Sequence, residues 1–366
     1  MIGQVGGKAL FLSHSLSPCG DVTKETLEKG SFLASVRLQL APACYASHHL
    51  GLQPQVLALR SEQPDQLQLL GNPKLCIVGK LSHPDIAFQH RIAMANLAAI
   101  ARLSRKGVPI GVIYSDNLAD QESPIGIFYR DLISFAKVVI CPSESMLSYV
   151  RRWMKPFQHH TVIEDPVQVS RRSFQTLDLS KHCRVIWFGH SSNLSYLLRE
   201  LPGLMSKCDV AAGYELTVLS DPAACDRVKF LMANHSKQRP WSLRIVPWQV
   251  DRQPTQLEYE LDRAHIALIP SDHKDPRKAA VSHNRLVDAL QAGCIVVASP
   301  VQSYKELAKV ALIGNNLPTL VDAAVADYQR LSHKYSHLRA EWLQRFEEAS
   351  NSRRWQKCLS LVMGWA

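Results

Sequence analysis

The sequence predicts an α/β protein with two doubly wound parallel sheets. Short apolar runs alternate with helical stretches, a pattern typical of parallel strands joined by helices. The alternation begins again at residue 184, after a polar stretch that contains Pro166. The chain has 366 residues, a length that fits two domains of about 150 to 200 residues each.

The first half contains five predicted strands. Each is an apolar run suited to a sheet covered on both faces, and they span residues 8–13, 56–59, 75–79, 108–116 and 138–143. Helical patterns lie between them at 35–50, 86–106 and 127–136, and the first two stop at Gly51 and Gly107. Ser143 or Ser145 is expected to cap the helix that follows the fifth strand.

The second half repeats this plan. Its predicted strands are 184–189, 216–220, 243–248, 265–271 and 295–298, with helices at 193–206, 222–234 and 254–263. A further amphipathic helix has Leu286, Val287, Ala289 and Leu290 as its apolar face and ends at Gly293, which is suited to a left-handed cap. Residues 322–362 predict one or two long helices. The expected domains are therefore 1–165 and 184–366, joined by a crossing at 166–183.

Composition restricts the class of protein. Hydrophobic residues make up 46% and charged residues 20% of the chain, which indicates a globular interior and argues against disorder. No apolar run is long enough to span a bilayer, and the N-terminus has no convincing signal peptide, so we expect a cytoplasmic protein. Peripheral contact with the inner membrane face is left open.

The charge predicts an anionic partner but does not choose one. The formal net charge is +10, which favours sugar nucleotides, acidic glycans, anionic lipid surfaces or nucleic acid. Nucleic acid is disfavoured because the arginine clusters fall into no known binding motif. The nine cysteines show no CxxC spacing and are expected to be buried, reduced thiols, and the histidine pairs lack a metal-ligand spacing, so no metal site is expected.

Basic residues concentrate just before and at the start of the helix that Gly293 ends. Lys274, Arg277, Lys278, His283 and Arg285 lie within fifteen residues of one another. In an open α/β sheet, ligands bind beyond the carboxyl ends of the strands and near helix N-termini, which hold phosphate. This segment therefore predicts an anionic ligand.

The same segment resembles the donor-site motif of GT-B glycosyltransferases, in which a Lys-x5-Asn-Arg-Leu-x-Asp/Glu-Ala-Leu pattern precedes a glycine and a Val-Val-Ala-Ser strand. The matching residues are Lys278, Asn284, Arg285, Leu286, Asp288, Ala289, Leu290, Gly293, Val296, Val297, Ala298 and Ser299. The resemblance implies two Rossmann-like domains that face each other across a cleft, and a nucleotide sugar as donor substrate with no further cofactor.

The resemblance also implies roles for residues of the second half. Lys278 would contact the donor diphosphate, with Arg277 and Arg285 near it, and Asp288 would bind the ribose hydroxyls. Asn284 belongs to the same motif. Each basic residue has the alternative of being part of a solvated loop.

Two further segments resemble donor-binding parts of the family. The turn with Gly189, His190 and Asn193 follows the first strand of the second half, where the family places the donor phosphates, although a glycine turn there also fits ordinary packing. Trp248 follows a later strand, where a nucleotide base would bind, although a tryptophan there also fits a core position.

In the first half, the resemblance points to Asp116 and Arg37. Asp116, in the segment IYSDN, would hold an acceptor hydroxyl or act as a base, and Arg37, in a Ser-x-Arg pattern, would contact acceptor or diphosphate. The alternatives are a turn aspartate and a surface ion pair. The last helix either crosses back to the first domain or caps the second.

One position departs from the family pattern. Many members have a glutamate eight positions before Asp288, and this chain has Ala280 there.

The resemblance as a whole gives the hypothesis of a metal-independent, retaining transferase that moves a sugar from a nucleotide sugar to a glycan, polysaccharide or lipid-linked acceptor. The alternatives are a noncatalytic GT-B-like binding or assembly protein, an epimerase, and a basic protein that binds membrane or nucleic acid surfaces.

Overall fold

A computed structural model describes residues 7–13, 34–58, 72–81, 86–178, 180–206, 213–233, 241–249, 255–278 and 280–365. The chain forms two compact units. The first comprises Met1–Pro166, Ala280–Ser282 and Glu348–Ala366, and the second comprises Val167–Ala279 and His283–Glu347. None of the helices in these ranges is long and apolar enough to cross a membrane.

The first unit is built on a six-stranded parallel sheet. Its strands are Gly7–Ser13 (β1), Leu52–Ala58 (β2), Leu75–Val78 (β3), Ile110–Ile113 (β4), Val138–Cys141 (β5) and His159–Val162 (β6), in the order β2-β1-β3-β4-β5-β6. Every residue of β3, β4 and β5 is buried, as expected for a parallel sheet covered on both faces. The sequence predicted five of these strands and missed β6, whose burial is only partial.

Helices cover both faces of this sheet. They are Ala41–His49 (α1), Ile86–Arg105 (α2), Pro124–Phe135 (α3) and Glu144–Val150 (α4), and a π-helical turn, Val36–Leu40, leads into α1. The backbone is left-handed at Gly51 and Gly107, where the sequence predicted helix stops. Ser143 caps α4, because its hydroxyl accepts a hydrogen bond from the Met146 N–H at 3.0 Å.

The second unit has its own six-stranded parallel sheet. Its strands are Cys183–Phe188 (β7), Tyr214–Ser220 (β8), Trp241–Pro247 (β9), Ile266–Ile269 (β10), Ile295–Ala298 (β11) and Leu312–Ile313 (β12), in the order β12-β11-β10-β7-β8-β9. Its helices are Leu194–Ser206 (α5), Pro222–Ala233 (α6), Thr255–Asp262 (α7), Asn284–Gln291 (α8), Gln302–Lys305 (α9), Leu317–Ala326 (α10) and Tyr328–Leu343 (α11). The short edge strand β12 was not predicted.

Gly293 ends α8 as the sequence predicted. Its φ is +83°, and a Cβ at this position would lie 2.5 Å from the Ser173 carbonyl oxygen. Glycine therefore provides both the left-handed backbone and the close approach of the crossing segment. Arg339 completes this helix end by donating to the Leu290 carbonyl at 3.0 Å and to the Arg172 carbonyl.

The last helix, Glu348–Met363 (α12), belongs to the first unit. This differs from the predicted second domain, 184–366, and agrees with the alternative of a helix that crosses back. Trp355, Leu359 and Val362 are buried there in the same apolar cluster as residues of β1, β3 and α1. Burial of this apolar stripe is the physical reason for the assignment.

Candidate functional site

The second sheet has a topological switch point between β7 and β10. These strands are hydrogen-bonded neighbours, and successive connections leave them toward opposite edges of the sheet. Ligands of open α/β sheets bind outside the carboxyl ends of the strands at such a point. Gly189 follows β7 and Ser271 follows β10, so these residues border the expected ligand position.

Arg285, in the first turn of α8, reaches this switch point. A Cβ at Gly189 would lie 3.4 Å from Arg285 Nη1 and 3.9 Å from its Cδ, so the arginine side chain lies against the glycine backbone. Nη1 is buried and has no hydrogen-bond partner within the described residues. A buried guanidinium nitrogen with no partner is costly unless a ligand pairs with it.

The turn after β7 is already closed by its own hydrogen bonds. The Ser191 N–H donates to Asp221 Oδ2 at 2.6 Å, and the Ser192 N–H donates to His190 Nδ1 at 3.2 Å. The Asn193 N–H donates to the His190 carbonyl at 2.8 Å. These amides therefore have hydrogen-bond partners without a phosphate. Contacts of His190 and Asn193 with the sugar-nucleotide donor stay predictions.

Asp221 adds a negative charge beside this turn. Burial acts to raise the pKa of its carboxyl group, but hydrogen bonds from the backbone N–H groups of Ser191 and Ala224 bring the pKa below its ordinary value. The group is therefore ionised at neutral pH. Its negative charge disfavours a phosphate near Ser191, so a phosphate is favoured on the side of Gly189 where Arg285 lies.

The basic loop before α8 carries its own counter-ions. The Arg277 guanidinium pairs with Asp275, with Nη2 2.9 Å from Oδ2, and this pairing lowers the pKa of the Asp275 carboxyl. Lys278 is half-buried, and its N–H donates to the Asp275 carbonyl at 2.9 Å. Diphosphate contacts by Arg277 and Lys278 stay predictions, and the pairing with Asp275 would compete with such a contact by Arg277.

Asp288 is buried, with 1% of its surface exposed. Its Oδ1 accepts from the Gln168 N–H and its Oδ2 from Gln168 Nε2, both at 2.8 Å. The carboxylate therefore fixes the start of the crossing segment to α8. The predicted ribose contact stays a prediction and would have to share an oxygen that Gln168 already uses.

Asn284, the first residue of α8, and Trp248, after β9, are the remaining predicted donor-site residues. Asn284 Oδ1 accepts from the Arg285 N–H at 2.8 Å, which orients the first turn of α8. Trp248 follows β9, and its N–H donates to the Ser220 carbonyl at 2.6 Å. Its indole Nε1 is buried without a described partner, but Trp187 and Trp241 share this property, so it does not single out Trp248 as a base-binding residue.

The sequence reasoning missed a buried polar contact beside the start of α8. His283 Nε2 lies 3.2 Å from Glu306 Oε2, close enough for an ion pair but not aligned for a hydrogen bond. The same Oε2 lies 3.5 Å from Arg345 Nη2. The Lys-Glu-Leu sequence after β11 was the available signal for Glu306, and its partners are distant in sequence.

In the first unit, Asp116 lies at the carboxyl edge of the sheet, where it forms an ion pair with Lys80. Lys80 follows β3 and Asp116 follows the neighbouring strand β4, so the topology brings them together. Arg37 lies half-buried on the π-helical turn, a feature frequent at functional sites. The roles predicted for Asp116 and Arg37 stay predictions.

The position of the missing carboxylate is now clear. Ala280 is fully buried in the apolar cluster of the first unit that includes Cys141 and Met146. Its carbonyl accepts from Ser143 Oγ at 3.1 Å. A glutamate here would have to place its carboxylate in this apolar cluster or rearrange the segment, so alanine fits the packing.

No protein-family model and no curated protein matches this sequence. Solved structures are similar over nearly the whole chain. Anabaena Alr3699/HepE in complex with UDP and glucose has a TM-score of 0.66 at 14% identity, covering 97% of this chain and 99% of that one. Sucrose-phosphate synthase from Thermosynechococcus elongatus has a TM-score of 0.66 at 13% identity, covering 98% and 100%.

The lipopolysaccharide outer core galactosyltransferase WaaB is similar with a TM-score of 0.58 at 11% identity, covering 98% of this chain and 100% of that one. At this level of identity, the similarity to these three structures shows the fold. Together with the two six-stranded parallel sheets, it identifies this chain as a protein with the GT-B fold of nucleotide-sugar glycosyltransferases.

Proposed function

We propose that this protein transfers a sugar from a nucleotide-sugar donor to a glycan, polysaccharide or lipid-linked acceptor. The observation that carries the proposal is Arg285, whose guanidinium lies at the switch point of the second sheet and forms no hydrogen bond or ion pair with the described residues. The donor diphosphate is a ligand of the right charge for this position. UDP and UDP-glucose are bound by the similar HepE, which supports a uridine nucleotide as the first candidate.

The chemistry requires neutralisation of the leaving diphosphate. Negative charge builds on the bridging oxygen as the glycosidic bond breaks, and a preorganised cation stabilises it most where water is excluded. Arg285 supplies the cation, and the N-terminus of α8 supplies a positive dipole beside it. In this proposal no metal is needed for this step.

Retention of the anomeric configuration is the finer part of the proposal. It comes from the motif resemblance, in which the carboxylate at the position of Ala280 faces the donor sugar. Here that position is an apolar core residue of the first unit. Any group that takes over the sugar contact must therefore lie elsewhere in the chain.

The absent carboxylate supports a second candidate, a noncatalytic protein that binds a nucleotide or nucleotide sugar. Both candidates predict donor binding through Arg285, and only the first predicts turnover. They are separated by incubating the protein with UDP-glucose and a panel of glycan acceptors and measuring released UDP.

The test begins with thermal stability in the presence of UDP, GDP, ADP and their glucose conjugates, because a ligand that binds only the folded state raises the melting temperature. A selective increase with one base supports the donor site and names the base. Absence of any increase would contradict both candidates. Where UDP is released, NMR of the product establishes the anomeric configuration, and an inverted product would refute retention.

A further inference from the structure

The amino edge of the first sheet, opposite to the edge where Asp116 lies, is lined by lysines. Five adjacent strands each have a lysine within four residues of their first residue: Lys8 (β1), Lys74 (β3), Lys106 (β4), Lys137 (β5) and Lys155 (β6). The strands are parallel, so all five entries lie at one edge. With neighbouring strands about 4.8 Å apart, this row extends over about 19 Å.

Backbone hydrogen bonds join Lys74 to Lys8 and Lys137 to the first residue of β4. The Lys74 N–H donates to the Lys8 carbonyl at 2.8 Å, and the Lys137 N–H donates to the Ile110 carbonyl at 2.7 Å. Lys8, Lys74, Lys106 and Lys155 are exposed, and Lys137 is half-buried. None of the five forms an ion pair with a described residue.

Acidic residues are missing from the same edge. The described segments that enter the six strands contain no aspartate or glutamate within residues 7–9, 48–53, 72–75, 102–110, 134–138 and 154–160. The nearest in sequence is Asp131, one turn before the end of α3. Within these described segments the lysines therefore have no acidic residue next to them in sequence, and a row of positive charges of this kind attracts an extended anionic surface.

An aromatic side chain projects from this edge on a fixed turn. Phe157 has 102% relative exposure and a φ of +62°, a left-handed backbone that is rare for a bulky residue. Gln158 holds the turn, because its Nε2 donates to the Ile133 carbonyl at 2.7 Å and its Oε1 accepts from the Lys155 N–H at 2.9 Å. The backbone strain is thus maintained while the ring is left in solvent.

A second aromatic residue is fixed at the same edge. The Trp365 N–H donates to the Ser360 carbonyl at 2.9 Å and the Gly364 N–H to the Leu361 carbonyl at 3.1 Å, which together end α12 in a Schellman motif. A Cβ at Gly364 would lie 2.9 Å from Lys137 Nζ, which places Trp365 beside the lysine row. Its side chain is 50% exposed.

We infer that the lysine row, with Phe157 and Trp365, docks the first unit onto an anionic lipid surface. Lysines bind anionic headgroups, and exposed aromatic rings insert at the level of the headgroups. The two aromatics favour a lipid surface over nucleic acid, which the charges alone would also bind. The inference does not depend on the proposed function, because it concerns the first unit alone and the edge of its sheet opposite to Asp116.

The test measures binding of the full chain to sedimented vesicles of phosphatidylcholine, with and without phosphatidylserine. Binding is expected only to the mixed vesicles and should fall as salt is added. Each lysine contributes about fivefold to partitioning, so Lys106→Gln with Lys155→Gln should lower it about 25-fold. The matched control is Lys305→Gln with Lys309→Gln, which removes the same charge from exposed positions of the second unit and should change partitioning less than about threefold.

The aromatic contribution is tested separately. Phe157→Asn introduces a residue that tolerates the left-handed backbone, and Trp365→Ala changes a residue at the end of the last helix. Both variants should therefore fold, as judged by circular dichroism. Each should weaken binding to mixed vesicles about tenfold. The inference is overturned if the control pair loses as much vesicle binding as the Lys106→Gln, Lys155→Gln pair. It is also overturned if both aromatic variants bind mixed vesicles as wild type does and the protein binds duplex DNA as tightly as it binds these vesicles.

Discussion

Substitution of Arg285 by methionine should make the unliganded protein more stable and its nucleotide binding weaker. Methionine retains an apolar stem of similar length against Gly189 and removes the charge, whose Nη1 is buried without a described partner. An unsatisfied buried donor costs about 1–3 kcal/mol, so the free energy of unfolding should rise by up to about that amount. A gain in stability together with a loss of nucleotide affinity is characteristic of a residue kept for binding rather than for stability.

The loss of affinity follows from the charged hydrogen bonds that the diphosphate would form. Such bonds contribute about 1.5–3 kcal/mol, which corresponds to a 10- to 150-fold increase in the Kd of a nucleoside diphosphate. Arg285→Lys should fall between wild type and Arg285→Met, because lysine retains the charge but not the planar pair of donors. The nucleoside without phosphates should bind both variants as it binds wild type.

Isothermal calorimetry with UDP and uridine measures the affinities, and urea unfolding without ligand measures the stability. Uridine is the internal control, since a general distortion of the site would weaken uridine and UDP together. The reasoning is refuted where Arg285→Met binds UDP as tightly as wild type, or where both ligands lose affinity in parallel.

Three further predictions concern the stability of the chain. Gly293→Ala should destabilise more than Gly107→Ala by about 1–3 kcal/mol in urea unfolding, because both glycines have a φ of +83° but only the Cβ at 293 would meet backbone atoms. Equal losses would disprove the close approach. Asp288→Asn should cost about 1–3 kcal/mol without ligand, since one of the two N–H groups that Asp288 accepts from would face an amide donor; unchanged stability would contradict this. His265 should make stability pH-dependent: burial, then the Arg184 charge, lowers its pKa from 6.5 to about 4. The unfolded chain therefore binds the proton first, and stability falls as pH drops from about 6.5 to 4, by on the order of 3 kcal/mol. His265→Gln should remove this slope in melting curves recorded against pH.

The local pattern was sufficient for the main elements of the fold. Gly51, Gly107 and Gly293 were predicted as helix ends, and each has a left-handed backbone. Such positions are readable because a positive φ is a property of one residue and its immediate neighbours. The half-buried edge strand His159–Val162 was missed, because its residues lack the apolar run that marks a covered strand.

The partners of the polar side chains could not be predicted from the local sequence pattern. Asp288 is paired with Gln168, 120 residues away, and His283 with Glu306. A motif gives the residue types of a site but not which of them are already bonded to each other. Arg277 pairs with Asp275, whereas Arg285 has no counter-ion among the residues that the structure describes, and this difference depends on side-chain geometry.

The sequence by itself determined the two parallel α/β units, the order of most elements and the segment that contains the candidate donor site, because these follow from the period of apolar residues and from glycine positions. Only the tertiary structure decided that α12 and Ala280 belong to the first unit, that Asp288 is bound by Gln168, and that the lysines of five separate strands form one row. The physical reason is that these relations join residues far apart in the chain, where burial and pairing rather than local periodicity set the arrangement.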